Sequence, residues 1–443
     1  MSKIRHYFST LEITRGLFIA LLGSAFIYLN FWGFSIPVLN TILGLLSLYF
    51  LLDSNAKTWF ITGSFIGLFW FWWIALSLIH YEMLWAVPIE ILIIMLSYGI
   101  LFGLGAYIAE EVSRLFVGSV HRPHDNLLVG KPTLRLEILT IKALFLLILS
   151  YIHPFGFDWL KPELMFVESY IGIEKWQFAL VLLAMVLSLW KSNLLYLLLI
   201  LLAYQPTQMV DEIDPTSQNI SLITTHTDVA DKWDEHKHPI QFEALFKHID
   251  HAIDENKSLI ILPESVFPVF LNHSEKTLTL LQEKAKHISI VTGALYWDGK
   301  TPRNSTYIFT NDKISVASKV VLVPFGESNP LPDFLSDWVN EVFYDGAVDY
   351  VASSEVIDYT INSITYRNAI CFEGTSEKLY EKDKEGNRPK NMILLSNNGW
   401  FTPSIEPTLQ KLLLQYYSKK YGTTIYHSVN MSESYVVRDG KVE

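Results

Sequence analysis

Seven apolar runs crowd the first 205 residues: Leu17–Phe31, Ile36–Leu52, Trp59–Ile79, Trp85–Ala109, Ile138–Ile152, Trp176–Trp190 and Leu194–Tyr204. No other feature constrains the fold as strongly. Hydrocarbon offers no hydrogen bonds, so a spanning segment must satisfy its own backbone, as a helix does. A spanning helix needs about 20 apolar residues, with a range near 17–25. The third and fourth runs meet that length outright. Only Lys191-Ser192-Asn193 separates the last two, which read either as two tight antiparallel spans or as one longer broken helix. Two spans are the preferred reading, which makes seven in all.

Charge follows the same division. Residues 1–205 hold 12 Lys/Arg and 12 Asp/Glu, leaving 22 of the 34 Lys/Arg and 33 of the 45 Asp/Glu to the other 238 residues. The whole formal charge of −11 therefore belongs to the second half. Such a balance excludes nucleic-acid binding through a basic surface. With the N-terminus inside, Lys3, Arg5, Arg15, Lys57, Arg114, Arg122, Lys131, Arg135 and Lys191 fall on the inner side, against Lys161 and Lys175 outside. The positive-inside rule thus favours seven spans and places residues 206–443 outside. Trp59, Trp85, Trp176 and Trp190 stand at run ends, where interfacial aromatics belong. Glu90, near the end of a run, reads as a snorkelling carboxylate. The first run lacks a small-residue cleavage site and is read as a retained span.

Beyond Asn219 the texture changes. Strands are expected at Ile220–Thr225, Ser258–Leu262, Ile288–Tyr296, Ser305–Thr310, Ile314–Val321, Ser363–Phe372, Asn391–Ser396, Thr424–Val429 and Ser434–Val437. Helices are expected at Pro239–Asn256, Ser274–Lys286 and Thr408–Tyr421. Strands interleaved with helices predict a layered α/β domain. The fold class is therefore an all-α transmembrane bundle, residues 1–205, followed by an α/β domain, residues 206–443.

Three residues at strand ends carry chemistry. Glu264 follows one apolar strand in Ile-Leu-Pro-Glu-Ser, Lys319 begins Lys-Val-Val-Leu-Val-Pro-Phe-Gly-Glu, and Cys371 ends a strand in Ala-Ile-Cys-Phe-Glu-Gly. Singly, each has a plain explanation: a solvated carboxylate, an edge charge, a small buried hydrophobe. Together they form a working set. A thiolate is the nucleophile, a carboxylate takes the thiol proton, and an ammonium stabilises the thiolate and the later oxyanion. Cys371 is the chain's single cysteine, so no intramolecular disulfide forms. No His/Cys/Asp group has metal-ligand spacing, and neither a metal nor another cofactor is expected. His236 and His238 read as solvated.

The ordered set Pro263-Glu264, Lys319 with Leu-Val-Pro-Phe-Gly-Glu, and Cys371-Phe372-Glu373 resembles the carbon–nitrogen hydrolase (nitrilase) superfamily. With a membrane bundle in front, it is similar to the apolipoprotein N-acyltransferases, and the likeness covers nearly the whole chain. The resemblance implies an α-β-β-α sandwich on the outer face of a bacterial inner membrane. Glu264 would be the general base, Lys319 the oxyanion and thiolate stabiliser, and Cys371 the nucleophile. Glu327, ending Pro-Phe-Gly-Glu, would support the lysine, and Glu373 matches the glutamate after the cysteine. Ser396-Asn397-Asn398-Gly399-Trp400-Phe401 matches a family loop, so Asn397 and Trp400 are candidate substrate contacts. Trp233 in Lys-Trp-Asp matches the tryptophan of the domain's first loop; ordinary packing is the other reading of both tryptophans. A phospholipid acyl donor and a diacylglyceryl apolipoprotein acceptor would be the partners. A membrane-tethered amidase passing the acyl group to water, and an inactive lipid-binding scaffold, are the competing readings.

Phe334, Leu335, Trp338, Val339 and Val342 form a helical stripe, read either as packing on its own domain or as a lid dipping into the bilayer. The sequence departs from the family at Asn398, where Asp is commoner, and at Arg303-Asn304-Ser305, where Tyr-Asn-Ser is usual. It ends at Asp439-Gly440-Lys441-Val442-Glu443, where family members usually continue into one last transmembrane helix, so a one-sided membrane tether is expected.

Overall fold

The computed structural model describes residues 8–118, 132–153, 157–205, 219–324, 326–327, 350–383 and 385–443. The stripe from Phe334 to Val342 lies outside the described residues. The chain divides into a helical unit, Met1–Pro154, Asp158–Gln208 and Pro403–Leu412, and an α/β unit, Phe155–Phe157, Met209–Thr402 and Leu413–Glu443.

In the helical unit each apolar run becomes a helix. The α-helices are α1 (Thr10–Phe31), α2 (Pro37–Leu52), α3 (Ala56–Phe71), α4 (Val87–Gly118), α5 (Pro132–Ile148) and α6 (Lys175–Lys191). The last run, Leu194–Ala203, is a 3-10 helix. A capping box opens α1: Ser9 Oγ accepts from the Glu12 amide at 3.2 Å, and Glu12 Oε2 accepts from the Ser9 amide at 2.8 Å. Proline stands in the first turn of α2, where its missing N–H costs nothing.

Among the described residues, three stretches are long and apolar enough to cross a membrane: Thr10–Phe31, Ala56–His80 and Leu84–Leu115. Pro37–Leu52 and Leu194–Ala203 are shorter apolar helices. On α4, Leu92, Ile93, Ile100 and Leu104 are each more than half exposed, as an apolar solvent requires. Between helices, small residues do the packing. A Cβ on Gly63 of α3 would sit 2.4 Å from the Tyr98 carbonyl, and one on Gly99 of α4 would sit 2.2 Å from Ser64 Oγ. Close backbone approach replaces the hydrophobic drive that lipid removes.

The last two runs form a returning pair. Ser192, left-handed at φ 51°, caps α6, and the chain doubles back. Gly172 N then donates to Ala203 O at 3.0 Å, and Gln205 N to Tyr170 O at 2.9 Å. The end of the 3-10 helix therefore lies beside the start of α6.

Among the described residues, the α/β unit contains two six-stranded mixed sheets. The first runs β1 (Ile220–Leu222), β2 (Leu259–Ile261), β4 (Ser289–Trp297), β5 (Pro302–Thr310), β6 (Lys313–Ser318), with β3 (Phe267–Phe270) paired to β4. The second orders β7 (Asp358–Ile361), β8 (Ile364–Ile370), β9 (Asn391–Asn397), β10 (Thr424–Asn430), β11 (Tyr435–Arg438) and β12 (Lys441–Val442). β1, β2 and β4 are parallel, as are β8, β9 and β10.

Alternation along β2 explains the layers. Leu259 and Ile261 join Val291, Ile308, Ile393, Leu395 and Tyr426 in a core between the sheets. Ile260 and Leu262 face the other way, into a core with Leu245 and Ile249 of α7 (His238–Asp254) and Leu281 of α8 (Glu275–Lys284). On the second sheet's side, the later part of α9 (Glu406–Tyr421) holds the β11–β12 turn: Gln415 Nε2 donates to Gly440 O at 3.1 Å. The order is helix, sheet, sheet, helix, as expected. β3, β7 and β12 were not anticipated, and the strand expected through Val321 ends at Ser318.

Candidate active site

Parallel strands β2 and β8 deliver the acid and the thiol from their carboxyl ends, the edge where α/β sheets place ligands. Glu264 follows β2 and is 7% exposed. The next residue, Ser265, is left-handed at φ 46°. The turn is tight against β4, since a Cβ on Gly293 would meet Ser265 N at 2.3 Å and Glu264 Cα at 2.7 Å. Cys371 sits directly after β8, half-buried, with φ 54°. Left-handed backbone costs a non-glycine residue about 1–2 kcal/mol, so this turn is held by its surroundings.

Those surroundings centre on Glu373. Its Oε1 accepts from the Ile370 amide at 2.7 Å, and its Oε2 from the amides of Val320 at 2.8 Å and Val321 at 3.1 Å. One carboxylate therefore joins the cysteine turn to the backbone that follows Lys319. Burial pushes Glu373 up to about 7, although Lys319 and the three amides oppose the shift.

Lys319 lies just past β6 and is 1% exposed, so it is no edge charge. Its Nζ is 2.7 Å from Glu327 Oε2. Burial alone would depress this amine, but Glu327 and Glu264, with Cys371 and Glu373, outweigh it and raise its proton affinity. Lys319 is thus a fixed cation. An ammonium carries three N–H donors, more than the one close carboxylate contact uses.

Asn304 completes the group. Its Nδ2 donates to Glu264 Oε1 at 2.7 Å and to Glu327 Oε1 at 3.2 Å. Glu327 Oε2 also accepts from the Val323 amide at 2.9 Å. Burial raises the proton affinity of Glu264, and Lys319 opposes it, as do Asn304 and Lys232. A carboxylate tuned upward suits a general base near neutrality.

The structure thus brings Glu264, Lys319, Glu327, Glu373 and Cys371 together. Trp233 is 40% exposed and follows the short helix Val229–Lys232. Asn397 accepts from Asn430 Nδ2 at 2.7 Å and from the Gly399 amide at 3.3 Å, so it shapes the loop that carries half-buried Trp400. The two tryptophan loops touch, since a Cβ on Gly399 would lie 3.3 Å from Val229 Cγ2. Sequence reasoning passed over two residues. Asn304 stood in the quoted Arg-Asn-Ser without a role. Lys232 stood in the quoted Lys-Trp-Asp without a role, yet it is 2% exposed and donates to the Glu264 carbonyl at 3.1 Å. Among the described residues, no group of three or more His, Cys, Asp and Glu could hold a metal.

An α-β-β-α sandwich with a buried carboxylate–lysine group beside a strand-end cysteine is a nitrilase-like α/β domain, in a chain that also carries an integral membrane helical unit. The chain belongs to the apolipoprotein N-acyltransferase family. Residues 10–207 match the family model for the apolipoprotein N-acyltransferase integral membrane domain. The apolipoprotein N-acyltransferase of Wolinella succinogenes is 38% identical over 427 residues, covering 95% of this chain and 94% of the relative. That of Helicobacter pylori is 33% identical over 406 residues, covering 90% and 87%. Among solved structures, a carbon–nitrogen hydrolase superfamily protein of Xanthomonas campestris superposes with a TM-score of 0.39 at 15% identity, covering 51% of this chain and 84% of that one.

Proposed function

We propose that Cys371, Glu264 and Lys319 carry an acyl transfer from a membrane phospholipid to the α-amino group of a lipoprotein's diacylglyceryl-cysteine. Glu264 takes the proton from Cys371 Sγ, and the thiolate attacks the carbonyl carbon of the donor ester. Charge develops on the carbonyl oxygen and is met by the Lys319 ammonium. The tetrahedral intermediate collapses, breaking the ester C–O bond. Glu264 returns the proton to the leaving alkoxide, releasing lysophospholipid and leaving a thioester on Cys371. The acceptor amine then attacks the thioester, Glu264 takes the amine proton, and an amide forms as the thiol is restored. Glu327 holds Lys319, and Glu373 holds the cysteine turn to the lysine segment.

The observation that carries this reading is the buried group itself. Base and cation face one another through Asn304 and Glu327, and Glu373 ties them to the cysteine. A lipid-embedded helical unit suits two lipid substrates that enter laterally. Seven spans with the N-terminus inside put residues 206–443 on the periplasmic face of the inner membrane.

Replacing Cys371 with Ala or Ser should abolish lipoprotein N-acylation in cells that hold no other such enzyme, as read by mass spectrometry. Intact mass of the wild-type chain with phospholipid should show one acyl adduct, on Cys371. Unchanged triacylation in the variant, or an adduct elsewhere, refutes the assignment. Free fatty acid formed without any acceptor amine would instead mark a hydrolase.

A further inference from the structure

Lys232 has no place in the mechanism above, although its burial and position tie it to the site. It ends the short helix Val229–Lys232, is 2% exposed, and gives its Nζ to the Glu264 main-chain carbonyl at 3.1 Å. Buried lysines ordinarily meet a carboxylate. Among the described residues, no ion pair joins this one to an Asp or Glu. Lys232 also lines a cavity of about 440 Å³ at the carboxyl ends of β1 and β2, with Thr224, His226, Gln241, His248 and Val266 among others.

The charge balance shows what such a lysine does. Glu264, Glu327 and Glu373 place three carboxyl groups around Cys371 and Lys319. Lys319 is committed to Glu327 at 2.7 Å. Among the described residues, Glu264 has an amide donor from Asn304 and no cation within ion-pair distance. Among the described residues, Lys232 is a second buried cation that favours the charged form of Glu264, after Lys319, and it acts on Cys371 as well.

We propose that Lys232 is a positioning residue for the acyl transfer: it clamps the Glu264 turn through the carbonyl and supplies the positive charge that keeps Glu264 a carboxylate and Cys371 ready to ionise. This rests on the roles proposed for those two residues. Burial holds the Lys232 amine down at about 8, against the pull of Glu264 and Cys371, so its charge is fully present only below that pH. The charged groups that act on it are Glu264 and Cys371, from the strand ends. His238 bonds the carbonyl of Lys232 at 3.1 Å, and His226 and His248 stand across the cavity.

The sign follows directly. Without the Lys232 charge, Glu264 and Cys371 hold their protons to higher pH. Because Cys371 is the single cysteine, iodoacetamide labelling of the full-length protein, followed by intact mass across a pH series, reads its thiolate without any substrate. Lys232→Met and Lys232→Gln should move the rise in labelling to higher pH by about one unit, a tenfold loss of rate on the rising limb. Lys232→Arg should keep the wild-type limb. An unmoved limb in the neutral variants overturns the proposal, whether or not their melting temperature falls, because a merely structural lysine changes stability and leaves the limb in place. A limb displaced as far by Arg as by Met overturns it too. Thioester formation by the wild type with phospholipid vesicles tests the acyl-transfer reading separately, so failure of one is distinguishable from failure of the other.

Discussion

Lys142 and Lys319 are both sealed from solvent, at 4% and 1% exposure, one in each unit of the chain. Lys142, on α5, gives its amine to the Ser54 carbonyl at 2.6 Å, just beyond the end of α2, and Glu110 lies 3.9 Å away. Its work is local: it satisfies the backbone where a helix stops. Lys319 pairs instead with a carboxylate, Glu327, at 2.7 Å. The same side chain serves as a cap in the helical unit and as a carboxylate-paired buried cation in the α/β unit. Burial alone does not tell the two apart; the partner does.

That contrast can be broken by substitution, and the largest effect belongs to the ion pair. Glu327→Gln leaves Lys319 buried without its contact carboxylate and should cost about 3–5 kcal/mol, read from thermal unfolding of the full-length protein in detergent. A loss under about 1 kcal/mol would mean that Glu264 or water already neutralises the lysine. Lys319→Met should cut the rate of thioester formation by about 10²–10³, the usual effect of removing one oxyanion donor. Single-turnover mass spectrometry measures it, and a fold-loss under about five would remove Lys319 from the chemistry.

Glu373→Gln sharpens the comparison through pH. The folded-state value of Glu373 is raised by burial to about 7, above the ordinary 4.5. The folded protein therefore binds the proton more tightly, and this group's contribution to stability falls as pH rises from about 4.5 to about 7. The slope is at most about 1.4 kcal/mol per pH unit. The amide variant should flatten that part of the profile, and a profile identical to wild type would sink the account. Lys142→Met should have the smallest effect. Leaving the Ser54 carbonyl unsatisfied costs about 1–3 kcal/mol, while thioester formation by the surviving folded protein stays within a few-fold of wild type. A loss of acyl transfer as large as that of Lys319→Met would erase the distinction drawn here.

The strand ends were legible because apolar runs stop where polar loops begin. Ser258–Leu262 anticipated β2 within two residues, and Ser363–Phe372 bracketed β8, so Glu264 and Cys371 could be placed before any coordinates. The short edge strands β7 and β12 carry four and two residues, too few for periodicity to register. Asn304 and Lys232 were missed for another reason. What each does depends on a partner far along the chain, Glu264 and Glu327 for the amide and the Glu264 carbonyl for the amine. Nothing in Asp-Lys-Trp-Asp distinguishes a lysine that turns inward from one that stays in water.

The three bonds accepted by Glu373 have a consequence for how the site tolerates mutation. All three donors are main-chain amides, at Val320, Val321 and Ile370. Those bonds are indifferent to which side chains stand there, and only proline, with no N–H, would delete one. In a library of random variants, these three positions should accept any side chain that fits the space, whereas position 373 should reject even Asp, one methylene shorter. The link between Cys371 and Lys319 is thus written in a single codon and read by three that are free to drift.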